Sequence, residues 1–308
     1  MKRHKICKII FAILAVFLCV AFYELIGICI TYKKQPAVSD ATIKETQNIM
    51  SVAGRENTER AVIIEKNSQA LLERVRLIQN AKDEIILSTF AFKSDESGKL
   101  ILGALHDAAD RGVHVRILVD GMESWIDMEG NPYFYGLSSH ENVEIKLYNK
   151  ANPLKPWKTM GRMHDKYLIA DGKIYILGGR NTYNYFLGDF PGHKNFDRDV
   201  LVVCDEPQKD NSVNQLWNYF ETIWEQEDCR YFHNSKKLAD RQSVKKAVLE
   251  LQEGYQQYFE VNKEKICDTD YADETFETEK IILLSNPIHT QAKEPVVWYQ
   301  LGELMKNA

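Results

Sequence analysis

Residues 163–181, MHDKYLIADGKIYILGGRN, decide the fold and concentrate more reactive side chains than any other window of this 308-residue chain. The composition of residues 163–170 predicts a β-strand, in which side chains alternate between two faces. His164 and Lys166 are two positions apart and therefore lie on the same face. The stretch thus brings an imidazole and an ammonium group together.

A tight turn follows this predicted strand. Asp171-Gly172 is a strong signal for a two-residue hairpin loop, and residues 173–177 predict a second strand that runs back beside the first. Gly178 and Gly179 come next, and glycine allows the backbone to approach a neighbour closely or to take a positive φ.

Asn181 returns to the level of His164 at the end of the second strand. An imidazole, an ammonium group and a carboxamide then converge on one spot, which suits a phosphodiester. Histidine can attack phosphorus or carry a proton near neutral pH. Lysine neutralises phosphate oxygens, and asparagine donates further hydrogen bonds to them. We therefore expect His164, Lys166 and Asn181 to carry the chemistry.

The whole spaced pattern resembles the HKD motif of the phospholipase D superfamily. Residues 173–186, KIYILGGRNTYNYF, resemble the bacterial membrane-bound branch that includes cardiolipin synthases. A lone H-x-K would mean little, and the specificity comes from the full pattern on a strand–turn–strand with an α/β unit upstream. The matching positions are His164, Lys166, Asp171, Gly178, Gly179 and Asn181.

The resemblance implies a role for these residues. His164 would be the nucleophile that forms a phosphohistidine, or the general acid/base opposite such a nucleophile. Lys166 and Asn181 would hold the phosphate oxygens, so that no metal or cofactor is expected. Asp171 would be structural and shape the turn.

The same resemblance points to a carboxylate after the motif. Asp199 opens a predicted strand over residues 199–204, where the family places an acid that orients the histidine. Asp197 is the near alternative. A buried carboxylate acceptor fixes the tautomer of an imidazole. Gly179 departs from the Ser or Thr common in the wider family, which removes one hydroxyl contact.

An α/β unit precedes the motif. Hydrophobic spacing and β-rich composition predict a helix, a strand, a helix and a strand over residues 68–81, 84–92, 98–111 and 113–119. This succession implies a right-handed crossover and parallel pairing. The predicted fold class is α/β, a phospholipase D-like lobe with a mixed, mostly parallel sheet flanked by helices. Asp120 falls at the carboxyl end of a strand, where sites lie in such sheets, but a loop-capping aspartate is the simpler interpretation.

Other segments are predicted more coarsely. Residues 122–136 are aromatic and loop-like, and residues 143–148 alternate like a strand. Residues 151–162 form a proline-bearing loop whose basic residues suit an anion site, a membrane-facing lip or a solvated surface. Helices are predicted over residues 211–226 and 244–259.

The N-terminus is a candidate membrane anchor. Residues 9–32 are almost continuously apolar, with Glu24 the only charged residue, and a helix of that length spans about 36 Å. Four basic residues precede the run and two follow it, which favours a cytoplasmic N-terminus and an extracytoplasmic lobe. A cleaved signal peptide is the rival interpretation, but the apolar character resumes after Glu24 and no A-x-A pattern follows.

Net charge and cysteine spacing argue against three other kinds of protein or site. A net charge of −5 argues against a general nucleic-acid binder. The six cysteines include no C-x-x-C pair, so they indicate neither a disulfide framework nor a zinc site.

These patterns divide the chain into five predicted segments. They are a transmembrane anchor over residues 1–34, a polar tether over 35–60 with some helix at 41–50, the phospholipase D-like lobe over 61–230, a helical and polar connector over 231–275, and the start of a second lobe, with a strand, a loop and a helix, over 276–308.

The motif occurs once. No H-x-K with a downstream asparagine follows residue 181, and His289 and Lys293 have the wrong spacing. In the family that the chain resembles, two motifs form one site, which implies a homodimer or a second motif-bearing chain. The alternative is a fragment whose other lobe is encoded elsewhere or lost.

The resulting hypothesis is a membrane-anchored phosphodiesterase or phosphatidyltransferase, similar to cardiolipin synthases, that acts on phospholipids. One alternative is a nuclease of the same superfamily, which the net charge and the anchor disfavour. The other is an inactive half-enzyme that serves only as a membrane-tethered scaffold.

Overall fold

Two compact units make up the described chain. The computed structural model describes residues 2–31, 33–51, 59–207, 211–233 and 235–307. The first unit comprises Met1–Ser51, Ala151–Arg162 and Leu284–Ala308, and the second comprises Val52–Lys150 and Met163–Leu283.

Nine strands of the second unit form one sheet. They are β1 (Glu59–Ile64), β2 (Glu84–Thr89), β3 (His114–Asp120), β4 (Val143–Tyr148), β5 (Tyr167–Ala170), β6 (Ile174–Gly178), β7 (Asp199–Cys204), β8 (Cys229–Tyr231) and β9 (Phe276–Glu277). Their order across the sheet is β8-β4-β3-β2-β5-β6-β7-β1-β9.

Ten α-helices are described. They are α1 (Lys2–Thr31), α2 (Asp40–Ser51), α3 (Asn67–Asn80), α4 (Glu96–Asp110), α5 (Gly121–Asp127), α6 (Pro132–Ser138), α7 (Ser212–Trp224), α8 (Lys236–Ala239), α9 (Gln242–Cys267) and α10 (Val296–Asn307). A short 3-10 helix, Pro156–Lys158, lies between β4 and β5.

The sheet is mixed, as expected, but the expectation that it is mostly parallel is wrong. Among the described strands only β2·β3 and β3·β4 pair in parallel. The other neighbours are antiparallel. The strand–helix–strand rule applies to β2–α4–β3 and to β3–α5–α6–β4. The β5–β6 hairpin instead reverses direction, because a short connection joins antiparallel neighbours.

The strand directions bring several chain segments to one edge of the sheet. Strands β2 and β3 are parallel and end there, and β5, which is antiparallel to β2, begins there. Strand β6 runs back from β5 and ends at this edge, where β7 begins. The residues before β5, after β6 and before β7 therefore lie together, beyond the carboxyl end of β2.

Helix α9 belongs to the lobe's core. The region was expected to connect two lobes, yet α9 packs against α3, α4 and α6. It is longer than the predicted helix and buries Val244, Ala247, Leu251 and Tyr255. Their spacing of three and four residues gives the helix one apolar face, and that face completes the hydrophobic core on this side.

The aromatic stretch after β3 is helical, and the prediction of a loop there is wrong. Two short helices, α5 and α6, occupy it. A side chain caps each one: Asp120 accepts hydrogen bonds from the Met122 and Glu123 N–H groups, and Asn131 accepts one from the Tyr133 N–H. Such caps stabilise helices too short to form by propensity alone.

Strands at the margins of the sheet differ from expectation. Strand β1 has no counterpart in the predictions, although it pairs along its full length with β7. In the predicted second-lobe segment, helix α10 is present, but the strand expected near residue 280 is wrong: residues 280–284 are irregular. Because a strand is stabilised by pairing, an apolar run without a neighbouring edge does not become one.

The first unit contains the N-terminal helix. Residues His4–Ile30 of α1 are long and apolar enough to cross a membrane, by length and composition, a test that a signal sequence also passes. Helix α1 contacts the Pro156–Lys158 turn, and α2 contacts α10. Helix α2 confirms the helix expected within the tether; residues 52–58 of that tether lie outside the described residues.

Candidate active site

His164 and Lys166 lie just before β5, at the edge defined above. The strand begins at Tyr167, later than predicted. The Lys166 carbonyl nevertheless accepts a hydrogen bond from the Gly178 N–H at 3.1 Å, so the ladder with β6 continues to the motif. The backbone of the motif is therefore fixed by the hairpin.

The two side chains are in contact. Lys166 Nζ lies 2.9 Å from His164 Nδ1, which confirms that they share a face. Lys166 is buried and His164 is exposed. Because an ammonium group can only donate, Nδ1 accepts and the ring proton resides on Nε2. The ring thus keeps its proton on the nitrogen that does not contact Lys166.

Burial changes the acidity of the lysine. It lowers the pKa of Lys166 from 10.5 to about 8, while the carboxylates of Asp165 and Asp197 act in the opposite direction. Removal from water destabilises the charged form of an ammonium group, and a nearby anion stabilises that form again. A further anion next to Lys166 would raise this pKa again.

Phe90 forms one wall of the site and was not predicted as a site residue. Its ring centroid lies 4.5 Å from that of His164, edge to face, and 5.5 Å from Lys166 Nζ. Phe90 follows β2 directly, so the one signal in the sequence is its position at the carboxyl end of a predicted strand. The ring limits the orientations of the imidazole.

Asn181 is buried and oriented by the backbone just after β2. Its Oδ1 accepts a hydrogen bond from the Ala91 N–H at 3.1 Å. Since the carbonyl end of the amide is engaged there, the NH₂ end is the donor that Asn181 offers to a ligand. Ala91 follows Phe90, so the same chain segment supports both His164 and Asn181.

Two carboxylates, those of Asp120 and Asp165, make hydrogen bonds that hold the residues next to His164 in place. Asp120, besides capping α5, accepts the Met163 N–H at 3.2 Å through its second oxygen. Its capping contacts confirm the simpler interpretation of this residue. Asp165 accepts a hydrogen bond from the Tyr219 hydroxyl at 2.8 Å. These contacts fix the residues on both sides of His164, and sequence patterns did not predict them.

Asp199 is fully buried between two arginines. Its Oδ2 lies 3.0 Å from Arg74 and 3.3 Å from Arg180. Arg180 is also buried and donates further to the carbonyls of Ile64 and Glu65. The structure thus places Asp199 in an ion cluster that joins α3, β6 and β7, and an orienting action of Asp199 on His164 stays a prediction.

Asp197 occupies the space beside Gly179. A Cβ at Gly179 would lie 2.1 Å from Asp197 Oδ2, and one at Gly178 would lie 2.0 Å from Asp199 Oδ1. The two glycines therefore make room for two carboxylates. The family that the chain resembles commonly has a Ser or Thr hydroxyl at position 179. In this chain the Asp197 carboxylate occupies the space beside Gly179, and its charge raises the pKa of Lys166.

Asp171 lies at the opposite end of the hairpin. It and Gly172 have φ values of 51° and 61°, as the predicted two-residue turn requires. Its carboxylate accepts hydrogen bonds from the N–H groups of Lys82, Asp83 and Glu84 at 2.8–3.0 Å. Asp171 thus ties the turn to the start of β2.

No metal centre is apparent in the described part of the chain. Within those residues, no group of three or more His, Cys, Asp and Glu side chains is arranged to hold a metal ion.

Several known proteins are similar to part of this chain. Residues 75–224 match the family model described as the PLD-like domain of cardiolipin synthase. Cardiolipin synthase C of Escherichia coli (strain K12) is 29% identical over 154 residues, which cover 46% of this chain and 31% of that protein. An uncharacterized protein of Helicobacter pylori (strain ATCC 700392 / 26695) is 33% identical over 181 residues, covering 54% and 35%.

Among solved structures, Nuc from Salmonella typhimurium, described as a phospholipase D family member, aligns with a TM-score of 0.42 at 18% identity. The alignment covers 57% of this chain and 99% of that one. Residues 75–224 are therefore similar to the phospholipase D-like domain of cardiolipin synthases. It spans about a third of the length of the curated relatives named above.

Proposed function

We propose that this chain is a membrane-anchored phosphodiesterase or phosphatidyltransferase, similar to cardiolipin synthases, that acts on phospholipids through a phosphohistidine. The observation that carries the proposal is the contact between His164 and Lys166, beside the oriented amide of Asn181. Lys166 and Asn181 supply the donors for a phosphate, and His164 is the one group there suited to covalent chemistry.

The chemistry needs two imidazoles in different protonation states. A bare Nε2 attacks phosphorus and the bond to the leaving oxygen breaks, while a second imidazole, protonated on both nitrogens, gives its Nε2 proton to that oxygen and becomes neutral. Water or an alcohol then gives a proton to the second imidazole and attacks phosphorus, which breaks the P–N bond. The Nδ1 contact with Lys166 supports a neutral ring with Nε2–H for His164 as it stands here, which takes up a proton at Nδ1 before it can act as the acid.

The second imidazole is proposed to come from another chain. In a homodimer, two copies of His164 would face one phosphate. A ligand oxygen that accepts the hydrogen bond of Lys166 in place of Nδ1 would let the ring proton move to Nδ1, and Nε2 of that ring could then attack. A different motif-bearing chain would serve equally. Asp199 or Asp197 would be the carboxylate that acts on the attacking ring.

The anchor and its orientation are also proposals. Helix α1 would keep the site at the bilayer, and the excess of basic residues before it supports a cytoplasmic N-terminus. Labelling of Lys34 and of the N-terminus by an impermeant reagent on intact cells would test this. Lys34 should react on intact cells, and the N-terminus should react only after the cells are opened.

A turnover assay tests the proposal as a whole. The full chain is reconstituted in vesicles of phosphatidylglycerol or phosphatidylcholine, and released head group, phosphatidic acid and cardiolipin are measured. We expect turnover by the wild type and a loss of at least about 100-fold in His164→Ala. His164 is exposed, so the variant should fold normally, which circular dichroism checks.

Single-stranded and duplex DNA are assayed in parallel. Equal lipid turnover by wild type and His164→Ala, or degradation of DNA in place of lipid, would overturn the proposal. A folded monomer without either activity would instead support the scaffold alternative.

A further inference from the structure

The segment between β4 and the motif lies against the helix proposed to cross the membrane. The Tyr23 hydroxyl donates a hydrogen bond to the Leu154 carbonyl at 3.1 Å. Pro156 packs against Gly27 so closely that a Cβ there would lie 2.4 Å from the proline Cγ. This turn therefore has a defined position on α1, next to its C-terminal third.

That part of α1 coincides with a membrane boundary. A hydrocarbon core of about 30 Å is crossed by about 20 helical residues. Counted from Ile9, which follows the last basic residue of the N-terminus, the core ends at about residue 28. Tyr23 and Gly27 therefore lie in the last two turns before the lipid head groups, a level at which Glu24 can reach water.

The turn presents apolar side chains to its surroundings. Leu154 is 76% exposed, Met160 54% and Trp157 43%. The segment holds them in a fixed conformation, because a series of backbone hydrogen bonds links residues 152–162. Lys155 is exposed on the same turn. Tryptophan and apolar side chains beside basic ones are typical of segments that lie in the interface of a bilayer.

We infer that residues 151–162, here called the interfacial loop, dock on the surface of a phospholipid bilayer beside α1, with Leu154, Trp157 and Met160 among the lipids and Lys155 at the phosphates. This inference rests on the proposed anchor. It has a consequence for the site: His164 follows Arg162 by two residues, so their Cα atoms are at most about 7 Å apart. The chain connection therefore limits how far the motif can lie from a docked loop.

The position of the interfacial loop beside α1 indicates that its partner is lipid. A surface that adjoins a membrane-spanning helix at the level of the head groups faces lipid, and its lysine matches their phosphates in charge. A protein partner on the same loop is the competing outcome, and the experiment separates the two.

The experiment measures tryptophan quenching by lipids with brominated acyl chains. The full chain is reconstituted into vesicles and recovered by flotation. The wild type should show a quenched fraction that Trp157→Phe removes, while Trp125→Phe, at a residue that is 63% exposed on α5, retains it. Quenching that is unchanged in Trp157→Phe overturns the inference, and so does a chain that fails to float with the vesicles.

A second pair of variants links docking to catalysis. Leu154→Asp should lower turnover of phospholipid in vesicles by about tenfold, because an apolar side chain leaves the interface, while turnover of a short water-soluble phosphodiester is unchanged. Leu249→Asp, at a similarly exposed leucine on α9, should affect neither. A wild type without turnover would refute the proposed function, and the quenching result would still decide the docking.

Discussion

The Nζ atom of Lys166 lies 2.9 Å from Nδ1 of His164. A hydrogen bond from an ammonium group to Nδ1 leaves the ring proton on Nε2, so the lysine selects the tautomer of the histidine. The same lysine is a positive charge beside that ring that a phosphate could contact. One residue therefore couples ligand binding to the protonation state of the candidate nucleophile.

This coupling predicts a pH dependence. Burial lowers the pKa of Lys166 to about 8, so turnover should fall above pH 8 as the ammonium group loses its proton, by about tenfold per pH unit. Lys166→Arg, which stays charged, should lack this decline even if its overall turnover is lower. A wild-type profile that stays flat to pH 10 would contradict the role of Lys166.

The same lowered pKa has a consequence for stability. The folded chain releases the Lys166 proton at lower pH than the unfolded chain does, so unfolding takes up a proton between about pH 8 and the ordinary value of 10.5. This group's contribution to the unfolding free energy therefore rises with pH in that window. Urea unfolding of wild type and Lys166→Met at several pH values measures the difference, which should be smaller at high pH.

Asp199 and Asp197 should respond differently to substitution. Asp199→Asn leaves Arg74 and Arg180 buried without a counter-charge and should reduce the unfolding free energy by about 3–5 kcal/mol. Asp197→Asn should alter stability by less than about 1 kcal/mol. Because the Asp197 carboxylate raises the pKa of Lys166, its loss should move the decline in turnover to lower pH. Similar denaturation curves for both variants would contradict the ion cluster.

Gly179 should not tolerate the serine common elsewhere in the superfamily. A Cβ at this position meets Asp197 Oδ2, so Gly179→Ser should cost about 1–3 kcal/mol of stability. Asp197→Ala in the same chain should relieve most of this cost. A double-mutant cycle by chemical denaturation measures the coupling; additive effects would show that the carboxylate does not occupy this space.

Asp171 should matter for folding and not for chemistry. Asp171→Ala removes the acceptor for three backbone N–H groups at the start of β2 and should cost about 1–3 kcal/mol. Asp171→Asn keeps one acceptor oxygen and should cost less. Turnover per folded molecule should equal that of the wild type, because the turn lies at the end of the hairpin away from His164.

Local patterns predicted the hairpin well. Alternation places His164 and Lys166 on one face, and Asp171-Gly172 forms the expected turn, because both features depend on a few consecutive residues. Helix α2 and the caps of α5 and α6 also depend on a few consecutive residues. The aromatic composition of residues 122–136 nevertheless led to the prediction of a loop where α5 and α6 lie.

Features that depend on distant residues were not predictable. The antiparallel majority of the sheet follows from which strands become neighbours, and no local pattern encodes that choice. The burial of Asp199 between Arg74 and Arg180, the Phe90 ring against His164 and the Ala91 N–H on Asn181 each join segments far apart in sequence. Sequence reasoning indicated the candidate residues but not the groups that contact them.

Trapping the covalent intermediate tests the central claim most directly. The full chain in phosphatidylglycerol vesicles is quenched in alkaline denaturant during turnover, since a phosphohistidine is labile to acid, and digested for mass spectrometry. The account predicts a phosphatidyl group on the peptide that contains His164, and none in His164→Ala. Turnover without an adduct on this peptide, or an adduct on another residue that persists in His164→Ala, would contradict it.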